Sequence, residues 1–169
     1  MTDTRVGPPL RGDERETLRT FLDYHRATLA MKCDGLCDDE LRARSSPPST
    51  LSLLGLVRHL AEVERTWFRR VIAGEDVGMV WSEVENDFQT AYDATGATRA
   101  EAFDAWQDEV EHARRIEREA ESLDVTAYQA RWGEHVSLRL VMVHMITEYA
   151  RHNGHADLLR EGVDGAVGA

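Results

Sequence analysis

Apolar positions recur at helical spacing in four long stretches. In residues 13–32 the stripe is Leu18, Phe21, Leu22, His25, Leu29 and Lys32, with Asp13 placed to cap it and Glu14 and Glu16 in its first turn. In 51–74 it is Leu53, Leu56, Val57, Leu60, Val63, Glu64, Trp67 and Val71, with Gly74 as the stop. Residues 99–123 carry Phe103, Trp106, Val110, Ala113 and Ile116 behind a Thr98/Glu101 capping box. The last stretch, 137–161, carries Leu138, Val141, Met145, Ile146, Tyr149, Leu158 and Leu159, and Gly162 is expected to end it. Residues 38–44 read as a short helical turn, and SSPPS (45–49) breaks the chain. The connector 75–97 has no sustained period yet holds Met79, Trp81, Phe88 and Tyr92. Apolar weight on a long connector implies that it folds over something. A second connector, 124–136, contains VTAYQARW, which reads as a short extended piece, and the tail GVDGAVGA reads as frayed.

This pattern predicts an all-α fold, a four-helix bundle with long connectors forming one domain over 1–169. The connectors exceed what an up-down bundle needs, so a crossover is expected. No internal repeat, glycine-rich phosphate loop or alternating strand pattern competes.

Composition narrows the partners. The 169 residues carry 20 basic and 31 acidic side chains, a net charge of −11, and 42% are hydrophobic. That suffices for one core and excludes a disordered, collagen-like or disulfide-scaffold chain. The negative charge disfavours nucleic acid and anionic membrane as partners. The longest uncharged run, 45–57, is Ser/Pro-rich and too short to span a bilayer, and MTDTRVGPPLRGDERE lacks a signal-peptide core. Cys33 and Cys37, in C-x3-C spacing, match neither a redox nor a zinc-ribbon motif and read as reduced thiols in the cytoplasm. Lys32 is the only lysine among the basic residues, a skew that fits GC-rich coding.

Polar residues interrupting the apolar faces are the candidates for chemistry. His144, Glu148 and His152 are spaced four apart and spread over about 80° of the helix, with His155 in the same arc. Glu148 and His152 by themselves equally suit a surface i,i+4 pair. His59, flanked by Val57, Leu60 and Val63, by itself suits a hydrogen-bonded core histidine. If the two helices are neighbours, His59, Glu148 and His152 supply two imidazoles and a carboxylate, a donor set for Zn2+ or a similar cation with one open position. Glu62, one turn from His59, reads as an outer acceptor or a base on metal-bound water, and equally as a solvated position. Asp157 and Arg160 read as ordinary salt-bridge partners, or as holding His155 or Arg58 in an inter-helix network. Trp67, Trp81 and Trp132 suit a pocket wall or plain core. His25, His112 and His135 have no supporting partner.

Two stretches, PPSTLSLLGLVRHLAEVERTWFRRVIAGED (47–76) and HMITEYARHNGHADLLRE (144–161), resemble the DinB-like (YfiT-related) superfamily of metal-binding four-helix bundles. The resemblance covers nearly the whole chain. Many members have histidine where Glu148 stands, and the His/Glu/His variant is similar to the metal-binding domain of mycothiol-dependent maleylpyruvate isomerase. The resemblance implies His59, Glu148 and His152 as ligands of a divalent metal, zinc first with nickel or manganese as alternatives. It leaves His144 and His155 as neighbours without a ligand role. It also implies mycothiol as thiol co-substrate, and the arginine skew fits an actinobacterial source, where mycothiol is the low-molecular-weight thiol. A bound cation lowers a thiol's pKa. The isomerase has an additional C-terminal domain, whereas this chain ends soon after its fourth helix. The expected activity is therefore stand-alone thiol S-transfer to a small-molecule electrophile. The competing readings are a non-catalytic, stress-related metal-binding bundle and a metal-dependent hydrolase with Glu62 as base. A homodimer or a weakly held monomer is the expected assembly.

Overall fold

Side-chain caps set where each long helix begins. The computed structural model describes residues 5–167. Helix α1 (Glu14–Cys33) starts behind Asp13, whose carboxylate accepts from the Glu16 amide at 2.8 Å. A short α2 (Asp38–Arg42) follows, and then α3 (Leu53–Glu64), capped by Ser52 through the Gly55 amide at 3.1 Å. Helix α4 (Arg99–Glu119) is capped by Thr98 through the Glu101 amide. Helix α5 (Leu138–Asp164) is capped by Ser137 through the Leu140 amide. Each cap satisfies an amide that the first turn leaves without an intrahelical partner.

Three boundaries differ from the periodicity. The second long helix is α-helical only to Glu64 and continues as a π-helix over Arg65–Ile72, closing with the Ala73 amide on the Phe68 carbonyl at 2.9 Å. Helix α4 stops at Glu119 rather than 123, because the guanidinium of Arg15 takes the carbonyls of Glu117 and Ala120. Helix α5 runs through Gly162 and ends at Gly165, which has a φ of 76°. Gly162 is glycine for another reason: a Cβ there would lie 2.7 Å from the Ser45 carbonyl oxygen. The extended piece is half of an antiparallel hairpin, β1 (Thr126–Gln129) with β2 (Glu134–Ser137), which pairs Thr126 with Ser137 and Gln129 with Glu134.

The expected all-α bundle is present with this hairpin added. Cross-helix pairs give the directions. Arg139 on α5 meets Glu14 on α1, and Arg160 reaches the Lys32 carbonyl, so α1 and α5 are parallel. Arg65 in the π-helix meets Glu109 on α4, and Arg115 further along α4 meets Glu75, so those two run parallel as well. His59 lies against His152 and Trp67 against His144, so α3 and α5 are antiparallel. Two helices therefore point up and two down. The connector between the π-helix and α4 is the expected crossover, because parallel neighbours need the chain carried back along the bundle.

The four helices bury one contiguous apolar core that includes Leu22, Leu29, Leu56, Leu60, Val110 and Met145. Through its centre runs a polar chain with a member on every long helix. Arg26 grips Glu64 with two hydrogen bonds of 2.8 Å, Tyr149 donates to Glu64 at 2.8 Å, and Trp106 donates to Tyr149 at 2.7 Å. All four are buried. Full pairing is what makes a charge tolerable at this depth.

Candidate metal centre

The antiparallel contact of α3 and α5 brings His59, Glu148 and His152 together. Their ligand-capable atoms lie within 4.8 Å of one another, and among the described residues these three form the group able to hold a cation. His152 Nε2 is 3.4 Å and His59 Nε2 4.0 Å from the same Glu148 oxygen. His59 and His152 are 7% and 3% exposed, and Glu148 is half-buried.

The electrostatics prepare a deprotonated donor set. The nearby imidazoles of His152 and then His59 hold the Glu148 carboxyl far below the usual range, against the opposing effect of burial. Burial pushes the His59 imidazole below its ordinary 6.5. A carboxylate beside an imidazole disfavoured as a cation is a donor arrangement that suits a divalent cation. His59 also carries an unmet demand. Its Nδ1 is buried without a hydrogen-bond partner, and its Nε2 is beyond hydrogen-bonding distance of Glu148. Buried polar atoms are rarely left so, and Nε2, the nitrogen turned to Glu148, fits a cation held between the three side chains.

Neighbouring side chains hold these rings in place. Tyr92, from the 3₁₀ turn Thr90–Tyr92, stacks on His59 with ring centres 4.3 Å apart and planes 15° apart. Burial pushes its phenol up to about 12, so Tyr92 stays neutral. His155 Nδ1 lies 3.3 Å from His152 Nδ1, on the side of the ring away from Glu148. With His155 accepting, His152 carries its proton on Nδ1 and offers Nε2 to the centre. His144 Nε2 stands 4.0 Å from the other Glu148 oxygen, with its ring against Trp67.

Other candidates lie elsewhere. Glu62 is not brought to the group: its carboxylate accepts from the amides of Val80 and Trp81 at 2.9–3.1 Å and pins the crossover connector to α3. Trp81 does not wall the site either. It packs under the Arg58 guanidinium, 3.9 Å from ring centre, and donates Nε1 to the Arg58 carbonyl. Asp157 pairs with Lys32 at 2.6 Å, and Arg160 pairs with Asp164, so neither joins His155 or Arg58.

The group opens into a cavity of about 620 Å³. Its walls include Trp67 from the π-helix, Phe88 and Tyr92 from the connector, and Tyr128, Arg131 and Trp132 from the hairpin. Trp67 and Trp132 thus serve as walls, and the connector covers the site through Phe88 and Tyr92 rather than Trp81. The stacking role of Tyr92 and the contribution of the hairpin had no periodic signal in the sequence. Only their aromatic content singled them out.

The class that fold and site define is a four-helix bundle with a His/Glu/His group, able to hold a cation, in the lining of an aromatic-walled cavity. The chain belongs to the mycothiol-S-transferase family, whose profile matches residues 17–165, a span that includes all three donor residues and both cavity-lining connectors. This is a DinB-like family, as the stretches 47–76 and 144–161 implied. No curated protein matches the sequence. No described helix is long and apolar enough to cross a membrane.

Proposed function

We propose that this protein is a metal-dependent mycothiol S-transferase in which His59, Glu148 and His152 hold a divalent cation, zinc in the first instance. The observation that carries this reading is the convergence of the three donors on the floor of the cavity in a chain of this family. When bound, the cation lowers the pKa of a thiol and makes thiolate available at neutral pH. The protein's own residues do the rest. Glu148 contributes a negative charge that moderates the centre. His155 sets the tautomer of His152. Phe88 and Tyr92 shield the donors from bulk water on the connector side. Asn86, Gln89, Arg131 and Arg151 line the cavity with hydrogen-bonding groups suited to a hydroxyl-rich thiol. In the transfer, the thiol proton leaves to solvent and the sulfur lone pair forms the S–C bond. The leaving group departs with the electron pair of the broken bond, or the pair enters a conjugated system that is then protonated.

The engagement of Glu62 by the connector amides favours this reading over a hydrolase with Glu62 as base. The free thiols Cys33 and Cys37 suit a cytoplasmic location. The test is turnover of a generic electrophile, a bimane or chlorodinitrobenzene, by zinc-loaded and metal-stripped protein, each with and without mycothiol. Turnover requiring both metal and thiol supports the transferase. Thiol-independent hydrolysis assigns a hydrolase, and no turnover under any condition assigns a non-catalytic bundle.

A further inference from the structure

The cavity lining includes polar side chains, Asn86, Gln89, Arg131 and Arg151 among them. It also holds an aromatic corner made by Trp67, Trp132 and His144. The Trp67 and Trp132 ring centres are 5.1 Å apart with planes tilted by 56°, and His144 lies 4.5 Å from Trp67 and 6.3 Å from Trp132. Trp67 is buried, whereas Trp132 is 48% exposed on the hairpin turn. That turn is ordered: the Trp132 and Gly133 amides both donate to the Gln129 carbonyl. A large aromatic ring is thus held half-solvated at the cavity edge, with ring surface still available to a ligand.

We infer that this corner is the seat of the electrophile, and that the electrophile is a flat, conjugated, largely apolar compound stacked against Trp132. The inference rests on the S-transferase reading. The corner is continuous with the donor set, because His144 touches both Trp67 and the outer oxygen of Glu148. A molecule seated there presents its reacting carbon beside the place where sulfur must be held. The polar lining residues accommodate the hydroxyl-bearing part of the thiol, whose several hydroxyls need more hydrogen-bonding groups than the corner holds. Two reactants held beside one donor set have the proximity that a two-substrate transfer requires. In the reaction the S–C bond forms at the ring or conjugated carbon, halide or another leaving group takes the bonding pair, and the thiol proton goes to solvent.

The test compares zinc-loaded wild type, Trp132→Ala and Trp132→Phe with mycothiol and two electrophiles. One is flat (chlorodinitrobenzene) and one is small and aliphatic (iodoacetamide). Loss of the stacking partner is expected to raise KM for the flat compound by roughly tenfold. The rate with iodoacetamide should stay within about twofold, and Trp132→Phe should recover most of the loss. Equal effects on both electrophiles, or none on either, overturn the inference. A second readout needs no turnover: equilibrium dialysis of dinitroaniline, which lacks a leaving group, against the same proteins. Binding about tenfold weaker in Trp132→Ala supports the corner as its seat; binding indifferent to Trp132, or absent in wild type, overturns it. If neither electrophile is turned over by wild type, the transferase reading fails by itself, and the dialysis still decides the aromatic seat.

Discussion

Tyr149 donates a hydrogen bond to Glu64 across 2.8 Å at the centre of the bundle, next in sequence to Glu148 and little more than a turn from His59. The bond ties α5 to α3 at one register. In that register His59 faces Glu148 and His152, and a one-turn slip of either helix would part the donors by about 5 Å. The polar chain from Arg26 to Trp106 thus joins core stability to the register of the candidate metal-binding group. Tyr149→Phe should leave the Trp106 Nε1–H unpaired and cost about 1–3 kcal/mol. Arg26→Met leaves Glu64 as an uncompensated buried charge and should cost more, about 3–5 kcal/mol. Urea unfolding of the metal-free protein measures both. An Arg26→Met effect no larger than that of Tyr149→Phe would show that Arg26 does not carry the charge of Glu64.

Metal uptake should follow the donor geometry. The triple change of His59, Glu148 and His152 to Ala should abolish stoichiometric zinc, nickel or manganese after dialysis. His144→Ala should keep the metal, because the group is complete without it. His155→Ala should weaken affinity roughly 10–100-fold by freeing the His152 ring. Metal analysis decides all three. Retention by the triple variant sinks the centre, and loss in His144→Ala places the α5 ligand register one turn away.

The charge of Glu148 should be readable in the pH–rate profile. One carboxylate leaves a dicationic centre with net charge near +1, whereas three imidazoles leave it near +2. Glu148→His should depress the pKa of a bound thiol further and move the rise in activity to lower pH, measured with saturating mycothiol. A profile that does not move while metal stays bound would falsify thiolate activation.

The metal-free protein should lose stability on mild acidification. Burial lowers His59, His144 and His25 below their ordinary 6.5 in the folded state. The unfolded chain therefore takes up protons first, so this contribution is fully present above 6.5 and is lost as pH falls through the lowered folded values. Glu148, also lowered, adds a loss below its ordinary 4.5, while Glu62, raised by burial, acts in the opposite sense at acid pH. Urea midpoints should be flat from pH 8 to 7 and should fall from 6.5 to 5.5. The fall should be shallower in His59→Phe. A midpoint that rises across that interval refutes the assignment of neutral, buried imidazoles.

Local chemistry was enough to read the caps at Asp13 and Thr98, the four amphipathic stripes and the i,i+4 spacing of His144, Glu148 and His152. Capping and helical periodicity act over a turn or two and need no knowledge of the rest of the chain. The same short range explains what could not be read. Glu62 and His59 sit on one helix with similar flanks, yet one binds connector amides and the other faces α5. Trp81 and Trp132 are both connector tryptophans, yet one lies under Arg58 and the other walls the cavity. The π-helix after Glu64 has no proline or glycine to announce it, and the end of α4 depends on a guanidinium from α1. The direction in which each of these side chains finds its partner depends on which helices are neighbours and in which register. That is decided by packing of the whole core and by the Arg26–Glu64–Tyr149–Trp106 chain, whose members are far apart in sequence and adjacent only once the bundle has closed.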